Sequence, residues 1–140
     1  MSEDCIFCKI VKKQADATII YEDPETLAFM DIAPLNHGHT LVITKTHYPN
    51  IMETPPEKVG KLFTVVARLA KAVQKATNAD GISIGQSNGR AASQEVFHIH
   101  VHIIPRYDHE MMFPERKKTD RKELEEVGRK IREAIAKSSR

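Results

Sequence analysis

The chain has 140 residues with a formal net charge of +2, 41% hydrophobic residues and 29% charged residues. These values are typical of one globular domain that buries a core without disulfides. The small charge favours neither nucleic acid nor a membrane surface as a partner. No apolar run of the sequence approaches the ~20 residues of a membrane span. The acidic N-terminus lacks the basic start of a signal peptide, so a cytoplasmic location is predicted.

Three strands are predicted in the first third of the chain. Residues 18–22 and 25–31 flank the turn signal Asp23-Pro24, and residues 40–44 are rich in β-branched side chains. Such runs, bounded by turn residues, are typical of strands joined by short connections. We therefore expect an antiparallel arrangement at the start of the fold.

The longest predicted helix follows these strands. Thr54 is expected to cap it, with Glu57 completing a capping box and Pro55 and Pro56 in the first turn. Apolar residues then recur at helical spacing to about Ala76. This pattern predicts one long amphipathic helix in the middle of the chain.

The second half predicts two more strands and a C-terminal helix. The strands cover residues 82–87 and 96–104, the second ending near Pro105, and the helix covers residues 120–136. The residues predicted to face inward from that helix are Leu124, Val127, Ile131 and Ile135. The predicted fold class is α+β, a mainly antiparallel sheet with one long helix and a C-terminal helix, in a single domain of residues 1–140.

Three histidines occur at every second position of the last predicted strand. They are His98, His100 and His102. Alternate side chains of a strand share a face, so the three imidazoles are expected about 6–7 Å apart along one face. The residues between them are expected to pack inward, namely Phe97, Ile99, Val101 and Ile103. Such an array suits either metal ligation or nucleophilic catalysis near neutral pH.

Cys5 and Cys8 are the only cysteines of the sequence. In a reducing compartment a disulfide between them is disfavoured, and a Cys-x-x-Cys pair more often serves metal or redox chemistry. The pair offers half of a tetrahedral zinc site, whose other ligands would have to be histidines. Two buried thiols or a redox pair are the alternatives, although the strand-to-helix context of a thioredoxin-like site is absent from the sequence pattern.

The stretch "SQEVFHIHVHIIPR" resembles the signature of the histidine triad (HIT) family, His-x-His-x-His followed by apolar residues. The stretches "CIFCKI", "LAFMDIAP" and "GHTLVITKTH" agree with the family in order and spacing. The resemblance covers about residues 5–106, and residues 107–140 are a variable C-terminal segment and helix. It implies a HIT-like fold whose sheet extends across a homodimer.

Among small proteins of this pattern, the chain is similar to the Hint-like branch. The resemblance implies a nucleotide-binding hydrolase that cleaves at the α-phosphate of purine nucleotide derivatives, such as phosphoramidates, through a covalent nucleotidyl-histidine intermediate. It implies no organic cofactor. Three alternatives stay open: a dinucleoside polyphosphate hydrolase, a zinc-dependent hydrolase with the ion on the triad, and a non-catalytic nucleotide-binding dimer.

The resemblance also implies roles for the triad. His100 would be the nucleophile, with its other ring nitrogen held by an acceptor, for which a backbone carbonyl is expected. His102 would stabilise developing charge on the phosphate or protonate the leaving group, and His98 completes the catalytic triad. A structural zinc ion is implied at Cys5, Cys8, His47 and His98.

The nucleotide-binding residues implied by the resemblance are Asp31, Asn88, Gln94, His39, Phe7, Phe29 and Ile32. Asp31 would accept from the ribose hydroxyls, the two amides would donate to phosphate oxygens, and His39 would hydrogen-bond to the triad. The three apolar residues would form the base pocket. Glu95 departs from the Hint-like branch, which has a small hydroxyl residue there, and a carboxylate repels a phosphate unless it points away.

Overall fold

A computed structural model of the protein describes residues 4–138. Its elements, in chain order, are α1 (Ile6–Val11), β1 (Ile19–Glu22), β2 (Thr26–Met30), β3 (Thr40–Thr44), α2 (Pro56–Thr77), β4 (Gly81–Gly85), β5 (His100–Arg106) and α3 (Arg121–Ser138). Two short 3-10 turns cover Ile51–Glu53 and Arg90–Ala92. Within the described range, every helix is too short or too polar to cross a membrane.

The five strands form one antiparallel sheet in the order β1-β2-β3-β5-β4. The predicted α+β class with a mainly antiparallel sheet is therefore confirmed. The order places β5 inside the sheet, beside β3, with β4 as one edge. His100 lies opposite Ile43 and His102 lies opposite Leu41, so these two histidines lie along an inner strand of the sheet.

The two faces of the sheet carry separate apolar clusters, because alternate strand residues point to opposite sides. Ile99, Val101 and Ile103 are fully buried against α2, where Leu62 and Leu69 are also fully buried. Their inward orientation was predicted and is confirmed. The opposite face, which the histidines share, holds the second cluster, formed by Phe7, Ile10, Leu27, Phe29, Leu41 and Ile43.

Helix α3 packs against both α2 and β1. Its buried face consists of Leu124, Gly128, Ile131 and Ala134. A β-carbon at Gly128 would lie 2.8 Å from the Thr18 side chain, so only glycine permits this close approach to the start of β1. Val127 and Ile135, also predicted to face inward, are partly buried against the same core.

The predicted start of α2 is wrong in its capping. Pro55 occupies the N-cap position without a side-chain hydrogen bond, and Pro56 is the first helical residue. The Thr54 hydroxyl donates instead to the Asn50 carbonyl at 2.7 Å, because Thr54 ends the preceding 3-10 turn. No capping box therefore forms with Glu57 in the described structure. The other predicted bounds, apart from the histidine strand, lie within two residues of those observed.

The histidine strand begins later and ends later than predicted. β5 starts at His100 and continues through Pro105, which pairs with Ile82 of β4. The backbone N–H of Ile99 donates to the Tyr48 carbonyl at 2.7 Å, so His98 lies in a bend before the sheet ladder. The prediction that Phe97 packs inward is wrong, since Phe97 is 41% exposed; the period-two alternation does not reach back into the bend.

Helix α1 was not predicted from the sequence. It has only six residues, too few for helical periodicity to be visible. Its N-cap is Cys5, whose sulfur accepts from the Cys8 backbone N–H at 3.4 Å. The helix buries Phe7, Cys8 and Ile10, and it thereby brings the Cys-x-x-Cys pair onto the histidine face of the sheet.

Candidate active site and metal cluster

The three histidines lie on the face that α1 partly covers. The ring centroids of His100 and His102 are 5.1 Å apart, and Phe7 presents an edge-on contact to His100 at 5.2 Å. His98 is fully buried, whereas His100 and His102 are partly buried. The row therefore leads from a closed end at His98 to a more open end at His102.

The tautomer of His100 is fixed by the backbone. Its Nδ1 lies 2.7 Å from the His98 carbonyl oxygen. Because a carbonyl can only accept, Nδ1 carries the proton and Nε2 carries a lone pair. The predicted backbone acceptor is thus confirmed. Burial lowers the pKa of His100, which keeps the ring neutral near pH 7 and leaves Nε2 able to act as a nucleophile or base.

A chain of hydrogen bonds fixes the tautomers at the His102 end. The Leu35 backbone N–H donates to His39 Nδ1 at 3.0 Å, so the proton of the neutral His39 ring is on Nε2. That atom lies 2.9 Å from His102 Nδ1 and donates to it, which leaves the proton of His102 on Nε2. We call Leu35, His39 and His102 the proton chain. Burial lowers the pKa of both imidazoles to about 4, so both are neutral at pH 7.

Asp31 lies beside the proton chain, next to the His39 ring. One carboxylate oxygen accepts from the Ala33 backbone N–H at 2.8 Å. The other accepts from the Arg116 guanidinium at 2.6 Å and lies 3.5 Å from His39 Nε2. Sequence reasoning missed Arg116, which lies in the variable segment 85 residues from its partner; no local pattern marks such a long-range pair.

The two cysteines meet two histidines at the closed end of the row. The four residues, which we call the metal cluster, are Cys5, Cys8, His47 and His98. His98 Nδ1 lies 3.4 Å from the Cys5 sulfur, 3.5 Å from the Cys8 sulfur and 3.2 Å from His47 Nδ1. The Cys8 sulfur is also 3.3 Å from His47 Nδ1. The predicted ligand set is therefore assembled from α1 and its N-cap, the loop after β3 and the bend before β5.

The metal cluster fits a tetrahedral ion with two nitrogen and two sulfur ligands. Metal–nitrogen bonds of about 2.0–2.1 Å and metal–sulfur bonds of about 2.3 Å imply nitrogen–nitrogen and nitrogen–sulfur edges of about 3.3–3.6 Å, close to the observed separations of these atoms. His98 Nε2 donates to the Thr44 carbonyl at 2.6 Å, which directs the Nδ1 lone pair into the cluster, as a ligating histidine requires. Burial raises the pKa of the Cys8 thiol to about 11, so its thiolate needs a nearby cation.

Asn88 and Gln94 brace the loop that leads to the histidine row. The Asn88 side-chain oxygen accepts from the Ile51 N–H at 2.7 Å. The Gln94 amide nitrogen donates to the Pro49 and Val96 carbonyls, and its oxygen accepts from the Gly89 N–H at 2.6 Å. Gln94 is thus engaged with backbone groups and Asn88 with a backbone N–H and the Gln86 side chain, and their predicted contact with phosphate stays a prediction.

The three apolar residues of the predicted base pocket have different environments. Phe7 and Phe29 are buried and pack edge to face at 5.3 Å. Ile32 is 49% exposed and follows Asp31 directly. Glu95 is exposed and borders an open groove with His47 and Phe97, so its carboxylate faces solvent at the metal-cluster end.

Residues 12–109 match the family model described as the HIT domain. The chain therefore belongs to the HIT domain family. It is 41% identical over 113 residues to "Adenylylsulfatase HINT3" of Arabidopsis thaliana, and 38% identical over 104 residues to "Adenosine 5'-monophosphoramidase HNT1" of Saccharomyces cerevisiae. These matches cover 81% and 74% of this chain, but only 57% and 63% of those proteins.

A solved structure extends the likeness to nearly the whole chain. The crystal structure of a Zn-bound histidine triad family protein from Mycobacterium smegmatis matches with a TM-score of 0.89 at 43% sequence identity. The match covers 99% of this chain and 98% of that one. The HIT-like fold of the single chain is therefore confirmed, and the match to this relative also takes in the variable segment with α3.

Proposed function

We propose that the protein is a nucleotide-binding hydrolase that cleaves at the α-phosphate of purine nucleotide derivatives, with nucleoside phosphoramidates as the substrate class. The observation that carries the proposal is the hydrogen bond from His100 Nδ1 to the His98 carbonyl, which leaves a neutral, oriented Nε2 as the nucleophile. The named activities of the two relatives, an adenylylsulfatase and an adenosine 5'-monophosphoramidase, support the same class of reaction.

The reaction proceeds in two steps on His100. Its Nε2 attacks the α-phosphorus, and the bond between phosphorus and the leaving nitrogen breaks while that nitrogen takes a proton from water. The resulting hydroxide then attacks the nucleotidyl-histidine, and the phosphorus–imidazole bond breaks to release the nucleotide and the neutral ring. The neutral tautomer of His102 favours the first of its two predicted roles, in which Nε2–H donates to a phosphoryl oxygen.

The remaining predicted residues bind the nucleotide in this proposal. Asp31 accepts from the ribose hydroxyls, and Phe7, Phe29 and Ile32 form the apolar wall for the base. The bonds that Asn88 and Gln94 make to the backbone support a bracing role as well. Donation from their side-chain amides to phosphate oxygens, as the resemblance implies, remains part of the proposal.

A structural zinc ion is proposed at the metal cluster. The nitrogen and sulfur donors, the spacing of the cluster and the zinc-bound relative support this choice. A zinc ion there would tie α1 and the loop after β3 to the residue whose carbonyl orients His100. It supplies a crosslink, while the chemistry remains with His100 and His102.

A homodimer and a cytoplasmic location complete the proposal. β4 lies at a sheet edge with Ile84 46% exposed, which supports pairing of two β4 edges so that the sheet continues across a two-fold axis. Two cysteines without a disulfide in a metal cluster support a reducing compartment. Sedimentation of the purified protein measures the dimer directly.

Turnover of adenosine 5'-phosphoramidate tests the reaction. Wild type, His100→Ala and the matched control His109→Ala, whose histidine is exposed, are assayed with and without EDTA. We expect turnover that His100→Ala abolishes, that His109→Ala leaves unchanged and that persists under moderate chelation with EDTA at a temperature where the protein stays folded. Adenylyl sulfate is assayed in parallel because of the adenylylsulfatase relative.

Two outcomes would overturn the proposed mechanism. Loss of wild-type turnover on chelation, with the fold retained, would favour a zinc-dependent hydrolase. Nucleotide binding without turnover of either substrate would favour a non-catalytic nucleotide-binding dimer. A covalent adduct on His100, trapped by denaturant at alkaline pH, where the phosphorus–imidazole bond survives, and located by mass spectrometry, separates the proposed route from both.

A further inference from the structure

The segment between β5 and α3 places a guanidinium on the carboxylate proposed to bind ribose. Arg116 Nη2 donates to Asp31 Oδ2 at 2.6 Å, and Arg116 Nε donates to the Ala33 carbonyl at 2.6 Å. The Thr119 backbone N–H donates to the Ile32 carbonyl at 2.8 Å. Three hydrogen bonds thus hold residues 116–119 against residues 31–33.

Arg116 lies between Asp31 and solvent. The Asp31 side chain is only 9% exposed, whereas the Arg116 side chain is 40% exposed. Of the two carboxylate oxygens, Oδ1 is taken by the Ala33 N–H, and Oδ2 also faces the buried His39 ring. The solvent side of Oδ2 is therefore where the guanidinium lies, while Oδ1 keeps one lone pair beside the Ala33 bond.

A ribose needs that same position. Its two vicinal hydroxyls donate to a carboxylate as a pair, and each must reach a lone pair that no other donor holds. In the free protein the Arg116 guanidinium is such a donor, and its bond to the carboxylate, like that of a hydroxyl, is charge-assisted. The ribose and Arg116 therefore compete for Asp31.

We propose that Arg116 is a specificity-determining residue, an internal competitor of the substrate's ribose for Asp31. The inference rests on the proposed nucleotide site. A nucleotide with both hydroxyls displaces the guanidinium. The free energy of breaking the Arg116–Asp31 bond offsets part of the free energy of binding. A 2',3'-dideoxy nucleotide displaces nothing and gains nothing at Asp31, so Arg116 narrows the difference in affinity between the two sugars.

Binding of AMP and 2',3'-dideoxy-AMP, measured by calorimetry on the full chain, tests the competition. For Arg116→Ala we expect AMP to bind at least about fivefold tighter, with dideoxy-AMP within about twofold of wild type. Arg116→Lys should lie between, since an ammonium cannot bridge Asp31 and the Ala33 carbonyl as the planar guanidinium does. Arg129→Ala is the matched control, because it removes an exposed arginine paired with Glu126 and Glu133 on α3; neither affinity should change.

Three results would overturn the inference. Weaker AMP binding by Arg116→Ala would make Arg116 a nucleotide ligand or a support for Asp31, unchanged AMP binding would remove any competition, and equal tightening of both nucleotides would remove the link to the ribose hydroxyls. Phosphoramidate turnover by the same variants separates this inference from the proposed function. Tighter AMP binding without turnover refutes the hydrolase alone, and turnover with unchanged affinities refutes the competition alone.

Discussion

Imidazole nitrogens come together at both ends of the histidine row, but their partners differ between the two ends. At the closed end, His98 directs a lone pair toward two sulfurs and a second imidazole nitrogen, all within 3.5 Å. At the open end, His39 Nε2 and His102 Nδ1 lie 2.9 Å apart with one proton between them. Backbone groups cause this difference. His98 Nε2 donates to the Thr44 carbonyl, so its Nδ1 lone pair faces the metal cluster. The Leu35 N–H donates to His39 Nδ1, so the proton on His39 Nε2 faces His102.

This difference separates a metal site from a hydrogen-bond chain. Asp31, His39 and His102 are also close enough to form a candidate ligand set. There, however, the acidic member is paired with Arg116, and the two imidazoles are matched as donor and acceptor. The metal cluster has two thiols with no such cation among the contacts described. The donors at one end of the row therefore fit the proposed cation, and protons suffice at the other.

The largest expected effect is the loss of the metal cluster. Cys8→Ala should abolish binding of about one zinc ion per chain and lower the free energy of unfolding by more than about 3 kcal/mol, since structural zinc contributes on the order of 10 kcal/mol. Metal analysis and urea unfolding measure the two quantities. Asp31→Asn, at the other end of the row, is the control and should keep its zinc. If the wild-type protein were equally stable with and without EDTA, the metal cluster would not be a structural metal site, and the distinction from the hydrogen-bond chain at the other end would fail.

Much of the fold followed from local patterns, and the site followed only in part. Strand alternation correctly oriented Ile99, Val101 and Ile103 because the sheet ladder imposes period two. It failed at Phe97, where a bond from the Ile99 N–H to the Tyr48 carbonyl bends the chain before the ladder. The capping prediction at Thr54 failed because a tertiary turn took up its hydroxyl.

The missed parts of the site depend on contacts distant in sequence. The pairing of Arg116 with Asp31 spans 85 residues, and no spacing rule connects them. The tautomers of His39 and His102 follow from one backbone N–H, that of Leu35, which every residue type except proline would offer. The residue types in the triad were therefore predictable, whereas their protonation depends on the folded backbone.

The next effect is a pH dependence that arises at the open end. Burial lowers the pKa of His39 to about 4, below an unfolded value of about 6.5. Between these values the unfolded chain binds the extra proton, so the stabilisation is complete above pH 6.5 and is lost as the pH falls toward 4. His39 titrates together with its hydrogen-bonded partner His102, and the pair contributes a few kcal/mol to this dependence, on the order of 3 kcal/mol or more. Urea unfolding at pH 7.5, 5.5 and 4.5 measures it.

A comparison of wild type with His39→Leu separates this contribution from that of the metal cluster. Both proteins keep the cluster, so its sensitivity to acid is the same in both. The difference in unfolding free energy between wild type and His39→Leu should shrink as the pH falls from 7.5 to 4.5. A difference that stays constant with pH would mean that His39 does not titrate below its ordinary range in the folded protein.

A smaller effect is expected on turnover from the same position. His39→Leu removes the donor that fixes His102, so kcat for the phosphoramidate should fall between about 10-fold and 100-fold. His39→Gln keeps an N–H donor and should recover part of the loss. The two variants have similar volume, which separates hydrogen bonding from packing. Equal kcat values for both would assign His39 a packing role only.

The smallest effect belongs to Glu95, near the metal-cluster end. Its exposed carboxylate acts on His100 through solvent, and burial outweighs its charge in setting the pKa of that imidazole. Glu95→Gln should therefore change kcat/KM by no more than about twofold, as expected for a screened surface charge. The acid limb of the kcat/KM profile should move to lower pH, because the removed carboxylate favoured the imidazolium. A gain of tenfold or more at low ionic strength would instead place this carboxylate against the bound phosphate, and the departure from the Hint-like pattern would then limit the rate.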